Sequence, residues 1–158
     1  MFSSSEGKLL GMDTKSSLDL VLERIQQEQN DFGFYLCTGD LSQDGTVASY
    51  QYLHDQLSKQ GKPQYWIPGN HDDRSNMLQV VSEDKEMLSV IKKGNWQIIL
   101  LDSQVPGAVG GNFSDKQLAI LKDALEADKT SHTLITMHHH PISMECEWLD
   151  TQQIKNSQ

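Results

Sequence analysis

The sequence is poor in cysteine, poor in positive charge and without long apolar runs, and each shortage excludes a class of protein. Two cysteines, Cys37 at the end of an apolar run and Cys146 late in the chain, form neither a disulfide framework nor a zinc knuckle. A reducing, cytoplasmic setting is therefore expected. No segment approaches the roughly 20 apolar residues that a membrane-spanning helix needs. The start, MFSSSEGKLLG, has no basic stretch leading into an apolar one, so neither secretion nor membrane insertion is expected. Lysine and arginine number 13 against 22 aspartates and glutamates, a formal charge of -9 with a pI near 5.0. Such a mean field repels nucleic acid and anionic membranes, and neither is an expected partner. No repeat, low-complexity tract or linker divides the 158 residues, of which 37% are hydrophobic, so one domain or part of one is expected.

What is present is an alternation of periods. Leu18, Val21, Leu22 and Ile25 recur at helical spacing after a Ser16-Ser17 start signal, and the polar QQEQN run ends that segment. Phe34-Tyr35-Leu36-Cys37 is a short buried strand closed by Gly39-Asp40. Helical spacing returns over residues 46–60 with Val47, Tyr50, Leu53 and Leu57, and Gly61 is placed as a stop. A strand at Gln64–Ile67 breaks at Pro68-Gly69, and residues 73–81 read as a short helix entered from the Asn70-His71 turn. Residues 82–94 carry no clear period. Trp96-Gln97-Ile98-Ile99-Leu100-Leu101 is apolar almost throughout, as a strand buried on both faces would be. Ser114, with Gln117 at the capping-box position, opens a helix bearing Leu118, Leu121 and Leu125, and Thr133-Leu134-Ile135-Thr136-Met137 is a last strand running into three histidines. Strands alternating with helices predict an α/β fold with a mostly parallel sheet, flanking helices and functional groups at the strands' carboxyl ends.

Three segments stand where an apolar run stops: Gly39-Asp40 with Asp44-Gly45, Gly69-Asn70-His71-Asp72, and His138-His139-His140-Pro141. A carboxylate, an amide and an imidazole from three strand ends suit hard or borderline cations. Each segment also has an ordinary reading. Asp40 can cap a helix or make an Asx turn, Asp44 serves the turn at Gly45, Asn70-His71 can be a surface turn, and a histidine triplet can bind metal adventitiously. Alternation along an extended chain lets one or two of the three histidines face a common site, and strand continuation favours His138. Asp72 is a candidate for orienting His71. His54 and His132 read as solvated.

Taken in order, GD…DG, GNHD and HHHP resemble the calcineurin-like metallophosphoesterases. Further likeness in EGKLLGMDT, TGDLSQDGT, IPGNHDD, WQIILLDSQVPG and HHHP followed by CEWLD narrows the resemblance to the bacterial 3',5'-cyclic AMP phosphodiesterase branch. The resemblance implies a partial metallophosphoesterase fold of the four-layer β-sandwich type. It also implies two divalent ions, iron, manganese or a similar metal, and a small-molecule substrate, cyclic AMP or a related phosphodiester. Asp40 matches the bridging aspartate, Asn70 and His138 match ligands of the second ion, and His71 matches the catalytic histidine that meets the phosphate and protonates the leaving oxygen. Asp40, Asn70 and His71 are accordingly the substrate-facing residues.

The family pattern also has an Asp-x-His before the first of these motifs and a Gly-His-x-His after the last, and neither occurs in residues 1–158. The expectation is a single phosphoesterase domain over residues 1–158, incomplete at both ends. Its first ion would keep Asp40 alone, its turnover would be severely reduced, and an uncovered sheet edge would favour partial folding. The contrasting expectations are a noncatalytic metal-binding remnant, or an enzyme for another phosphoester.

Overall fold

A computed structural model describes residues 1–4, 6–28 and 31–157. The chain divides into two compact units, Met1–Trp66 with His71–Met87, and Ile67–Asn70 with Leu88–Gln158.

In the first unit, two short strands, β1 (Lys8–Leu9) and β2 (Met12–Asp13), pair antiparallel, Leu9 opposite Met12. Leu10 and Gly11 both take positive φ, +50° and +85°, the backbone a two-residue hairpin turn demands. Helix α1 (Thr14–Glu28) starts before the expected Ser16-Ser17 signal because Asp13 Oδ1 accepts from the Ser16 N–H at 2.9 Å and so caps it. Gln29 and Asn30, the end of the polar run expected to stop the helix, lie outside the described residues.

Strand β3 (Tyr35–Thr38) follows, then α2 (Val47–Ser58), whose cap is Thr46 accepting from the Ser49 N–H, and β4 (Gln64–Ile67), which pairs with β3. Gly61 at φ +67° ends α2 as its sequence position suggests. Helix α3 (Arg74–Met77) is a single turn capped by Asp73, shorter than periodicity over residues 73–81 implies. The core of this unit gathers Leu22, Tyr50, Leu53, Leu57, Trp66, Met77 and Val81. Burying side chains of this size removes apolar surface from water at roughly 25 cal/mol per Å².

In the second unit, the segment without a clear period contains β5 (Val90–Lys93), antiparallel to β6 (Trp96–Leu100). The two-residue Gly94-Asn95 link makes this a hairpin, a turn signal present in the sequence but masked by the lysines of β5. Helix α4 (Asp115–Ala127) returns the chain to β7 (His132–Thr136), parallel to β6 with Ile99 opposite Ile135. Ser114 caps α4 as expected, but Gln117 does not close a capping box. Its Oε1 accepts instead from the Asp102 N–H at 3.1 Å, tying the helix to the end of β6. Ile99, Leu101, Phe113 and Ile154 form the core, with Leu121 and Met137 packed on it, whereas Leu118 and Leu125 stay exposed. A last turn, α5 (Glu147–Asp150), follows the histidines.

Candidate metal and phosphate site

Of the sequence-derived candidates, Asn70 and His138 come together within the second unit. His138 Nε2 lies 3.2 Å from Asn70 Oδ1, across 68 positions of sequence. The turn that delivers Asn70 is held by Gln104, whose Nε2 donates to the Gly69 carbonyl at 2.7 Å, and Gln104 is itself fixed where its N–H donates to Asp102 Oδ1 at 2.9 Å. His138 follows β7 by two residues, and β7 is set by its parallel register on β6. An amide oxygen only accepts, so this contact has its proton on Nε2. With its proton moved to Nδ1, Nε2 would present a lone pair beside those of Asn70 Oδ1, donors that a borderline divalent cation draws on, and their closeness fits two ligands of one ion.

Asp40 and His71 come together within the first unit, where the His71 N–H donates to Asp40 Oδ1 at 3.1 Å. Asp40 sits in the left-handed region at φ +54°, straight after Gly39 at φ +103°. A non-glycine residue there is uncommon, and aspartate is one of the few that tolerate it. The strand therefore ends abruptly and the carboxylate is turned back toward the His71 backbone. His71 is an exposed residue.

Asp72 is buried, and its hydrogen bonds serve the Asp40 loop: Oδ2 accepts from the Leu41 N–H at 3.1 Å, and Oδ1 from the Ser42 N–H at 2.9 Å and the Tyr50 hydroxyl at 3.0 Å. These bonds brace a turn 30 residues earlier in the sequence. Asp44 is a turn residue, as expected. It accepts from the Ser3 N–H and hydroxyl at 2.7 Å each and from Ser42 and Thr46 hydroxyls at 3.0 and 2.9 Å. Desolvation opposes its ionisation, but these bonds together hold the carboxyl well below the usual carboxylate range.

The three histidines separate by environment. His139 is buried, with Nδ1 at 2.8 Å from Ser103 Oγ and Nε2 at 3.1 Å from the Val109 carbonyl. Since a carbonyl only accepts, Nε2 carries the proton and Nδ1 accepts from Ser103. His139 thus locks the segment that positions His138. Gly111 makes room for it, because a Cβ there would stand 2.7 Å from His139 Cγ and Nδ1. His140 Nε2 lies 3.7 Å from Asp150 Oδ1. His54 is half-buried against Trp66, ring centroids 6.3 Å apart, and so is less solvated than its helix position suggests, while His132 is exposed beside Trp96.

A sequence profile of the calcineurin-like phosphoesterases matches residues 12–156. The chain belongs to that family. It is 37% identical over 158 residues to the 3',5'-cyclic adenosine monophosphate phosphodiesterase CpdA of Pseudomonas aeruginosa, covering 100% of this chain and 58% of that protein. It is 39% identical over 160 residues to the CpdA of Vibrio vulnificus strain CMCP6, again 100% of this chain and 58% of the relative. The CpdA of Escherichia coli strain K12 is 36% identical over 159 residues, 99% of this chain and 58% of that protein. The chain thus spans 58% of the length of these curated relatives.

Calcineurin-like phosphoesterases generally use a pair of divalent metals. Among the described residues, no three or more His, Cys, Asp or Glu side chains cluster as a metal site. Of the candidates, Asp40 belongs to the first unit, and Asn70 with His138 to the second, where one of the two donors is an amide. Sequence reasoning missed the supports of the site: Tyr50, Ser103, Gln104 and Gly111. The available signals were the Asp102-Ser103 stop after β6 and the Gly110-Gly111 pair, neither of which names its partner in advance. No helix among the described residues is long and apolar enough to cross a membrane.

Proposed function

We propose that this chain carries the metal- and phosphate-handling part of a 3',5'-cyclic nucleotide phosphodiesterase, with cyclic AMP as the substrate its relatives' names suggest. The supporting observation is the 3.2 Å approach of His138 Nε2 to Asn70 Oδ1 in a member of this family. In this reading Asn70 and His138 hold one divalent ion, iron, manganese or a similar metal. Asp40 is the carboxylate that the family places between two ions. When bound, a divalent cation supplies positive charge against the phosphoryl oxygens and activates water for attack.

The residues of the chain do the remainder. His138 must present the Nε2 lone pair, so its proton moves to Nδ1 on ligation. Asp40 is held in place by the His71 N–H, so it needs no reorganisation. The His71 imidazole holds a proton for the departing ribose oxygen, giving 5'-AMP from cyclic AMP. Unpaired thiols at Cys37 and Cys146 agree with a cytoplasmic setting.

Calorimetric titration with manganese, followed by assays of cyclic AMP and of an aryl phosphodiester, tests the proposal. Saturable binding that His138→Ala abolishes, with release of 5'-AMP by the wild-type chain, is the expected result. Metal binding without turnover would reduce the chain to a metal-binding protein, and absence of binding would remove the proposal altogether.

A further inference from the structure

Between the β5–β6 hairpin and the last turns of α4, the second unit holds a cavity of about 390 Å³. The sequence makes the room. One turn earlier on the helix, Ile120 and Leu121 pack on the Ile99 and Leu101 core, but toward its end Ala124 and Ala127 line the cavity with nothing longer than a methyl. Strand parity turns the sheet toward the same space. Gln97 shares a face with Ile99 and Leu101, and the register sets Val90 opposite Ile99 and Lys92 opposite Gln97, so these side chains face α4.

One polar group on this wall lacks a partner. Gln97 is fully buried, and its Nε2 donates to the Asp128 carbonyl at 3.2 Å and to Thr133 Oγ1 at 2.9 Å. A carbonyl only accepts, which fixes which end of the amide is nitrogen. Thr133 stands opposite Gln97 on β7, so Oε1 is left toward β5, the strand from which Val90 and Lys92 line the cavity. Among the described residues, Oε1 has no hydrogen-bond partner. A buried amide oxygen in that state is unfavourable, and an incoming N–H or O–H relieves it. The surroundings narrow the ligand further. Val90, Ile120, Ala124 and Ala127 make the walls apolar. Lys92 is already matched by Asp128 at 2.9 Å, and the Asp123 carboxylate on the lining repels an anion. We infer that this cavity binds a small, neutral, largely apolar molecule carrying one N–H or O–H donor, which meets Gln97 Oε1. Mainly apolar walls around a single placed polar group, at this volume, are the usual form of a small-molecule site. None of Asp40, Asn70, His71 and His138 lines it, so binding here does not depend on the phosphodiesterase reading.

Amide chemical-shift titration of the full chain with indole, and with benzothiophene, a bicycle of nearly the same shape without the N–H, tests this. Indole is expected to shift the amides of Val90, Gln97, Ala124 and Ala127 saturably, and benzothiophene to bind roughly 10-fold more weakly or not at all. Ala127→Phe, which fills the cavity from a helix position exposed to solvent, is expected to abolish indole binding without lowering the melting temperature. Equal affinity for the two bicycles overturns the inference, because Oε1 would then be satisfied without the ligand. Absence of saturable shifts at these four amides overturns it too, and so does indole binding that survives in Ala127→Phe. Should that variant melt early, the comparison of the two bicycles on the wild-type chain decides alone.

Discussion

The Tyr50 hydroxyl donates to Asp72 Oδ1 at 3.0 Å and accepts from the Asp73 N–H at 2.8 Å, so one phenol in a helix core braces the turn after Asn70-His71 and, through Asp72, the loop that carries Asp40. Tyr50 is fully buried, and burial, with the charge of Asp72 added, raises its hydroxyl above the ordinary tyrosine range. The proton stays on the phenol at any pH the protein tolerates. Tyr50→Phe keeps the ring and removes the bond, leaving the Asp73 N–H without this partner. A loss of about 1–3 kcal/mol in urea unfolding is expected. A loss below about 0.5 kcal/mol would show that the bond is not a brace.

Asn70→Ala and His138→Ala are expected to be non-additive. If both residues ligate one ion, either change alone removes most of the manganese affinity and the second adds little. A double-mutant cycle by calorimetry should give a coupling of about 0.5–3 kcal/mol. Additive losses would mean that the 3.2 Å contact is only a hydrogen bond.

Gly111→Ala tests the His139 lock. The new methyl would meet His139 Cγ and Nδ1 at 2.7 Å, and a buried ring hydrogen-bonded at both nitrogens has little room to yield. Overpacking of this kind costs about 1–3 kcal/mol. The variant should therefore melt at lower temperature and bind manganese more weakly, since the same segment positions His138. Wild-type melting and affinity would show that the ring can move aside.

Acid stability follows from depressed carboxyls. Asp44 is held low by the hydrogen bonds that outweigh its desolvation, and Asp128 by Lys92 first and then by Ser131 and Thr130. For a carboxyl whose folded pKa lies below its unfolded value, near 3.9, stabilisation is complete above that value and disappears as pH falls through the folded pKa. Melting temperature should be flat from about pH 7 to 5 and drop below about pH 4. In Asp44→Asn it should start lower at pH 7, with the gap to wild type narrowing on acidification. A gap that stays constant would assign the effect to shape, not charge.

Much of this was legible because local chemistry decided it. The Thr46 and Ser114 caps, the Gly61 stop and the β4 strand occur where their residues place them, since each depends on neighbours within a few positions. Asp13 capping α1 was less visible because it also ends a strand. Strand β5 was hidden because Lys92 and Lys93 interrupt its apolar pattern, with Lys92 paired to Asp128, 36 residues on. The pairing of Asn70 with His138 could be expected from three strand ends and the family pattern. The separation of His138 from His139 could not be read in full, because Ser103, Val109 and Gly111 decide it and come from another stretch of chain.

The two thiols differ in a way that is useful at the bench. Burial pushes the Cys37 thiol up to about 12, so almost none of it is thiolate near neutrality, while Cys146 is exposed on the loop next to Trp148. A maleimide dye will therefore attach at Cys146 without any engineered cysteine, putting a fluorescent reporter two residues from the exposed indole of Trp148.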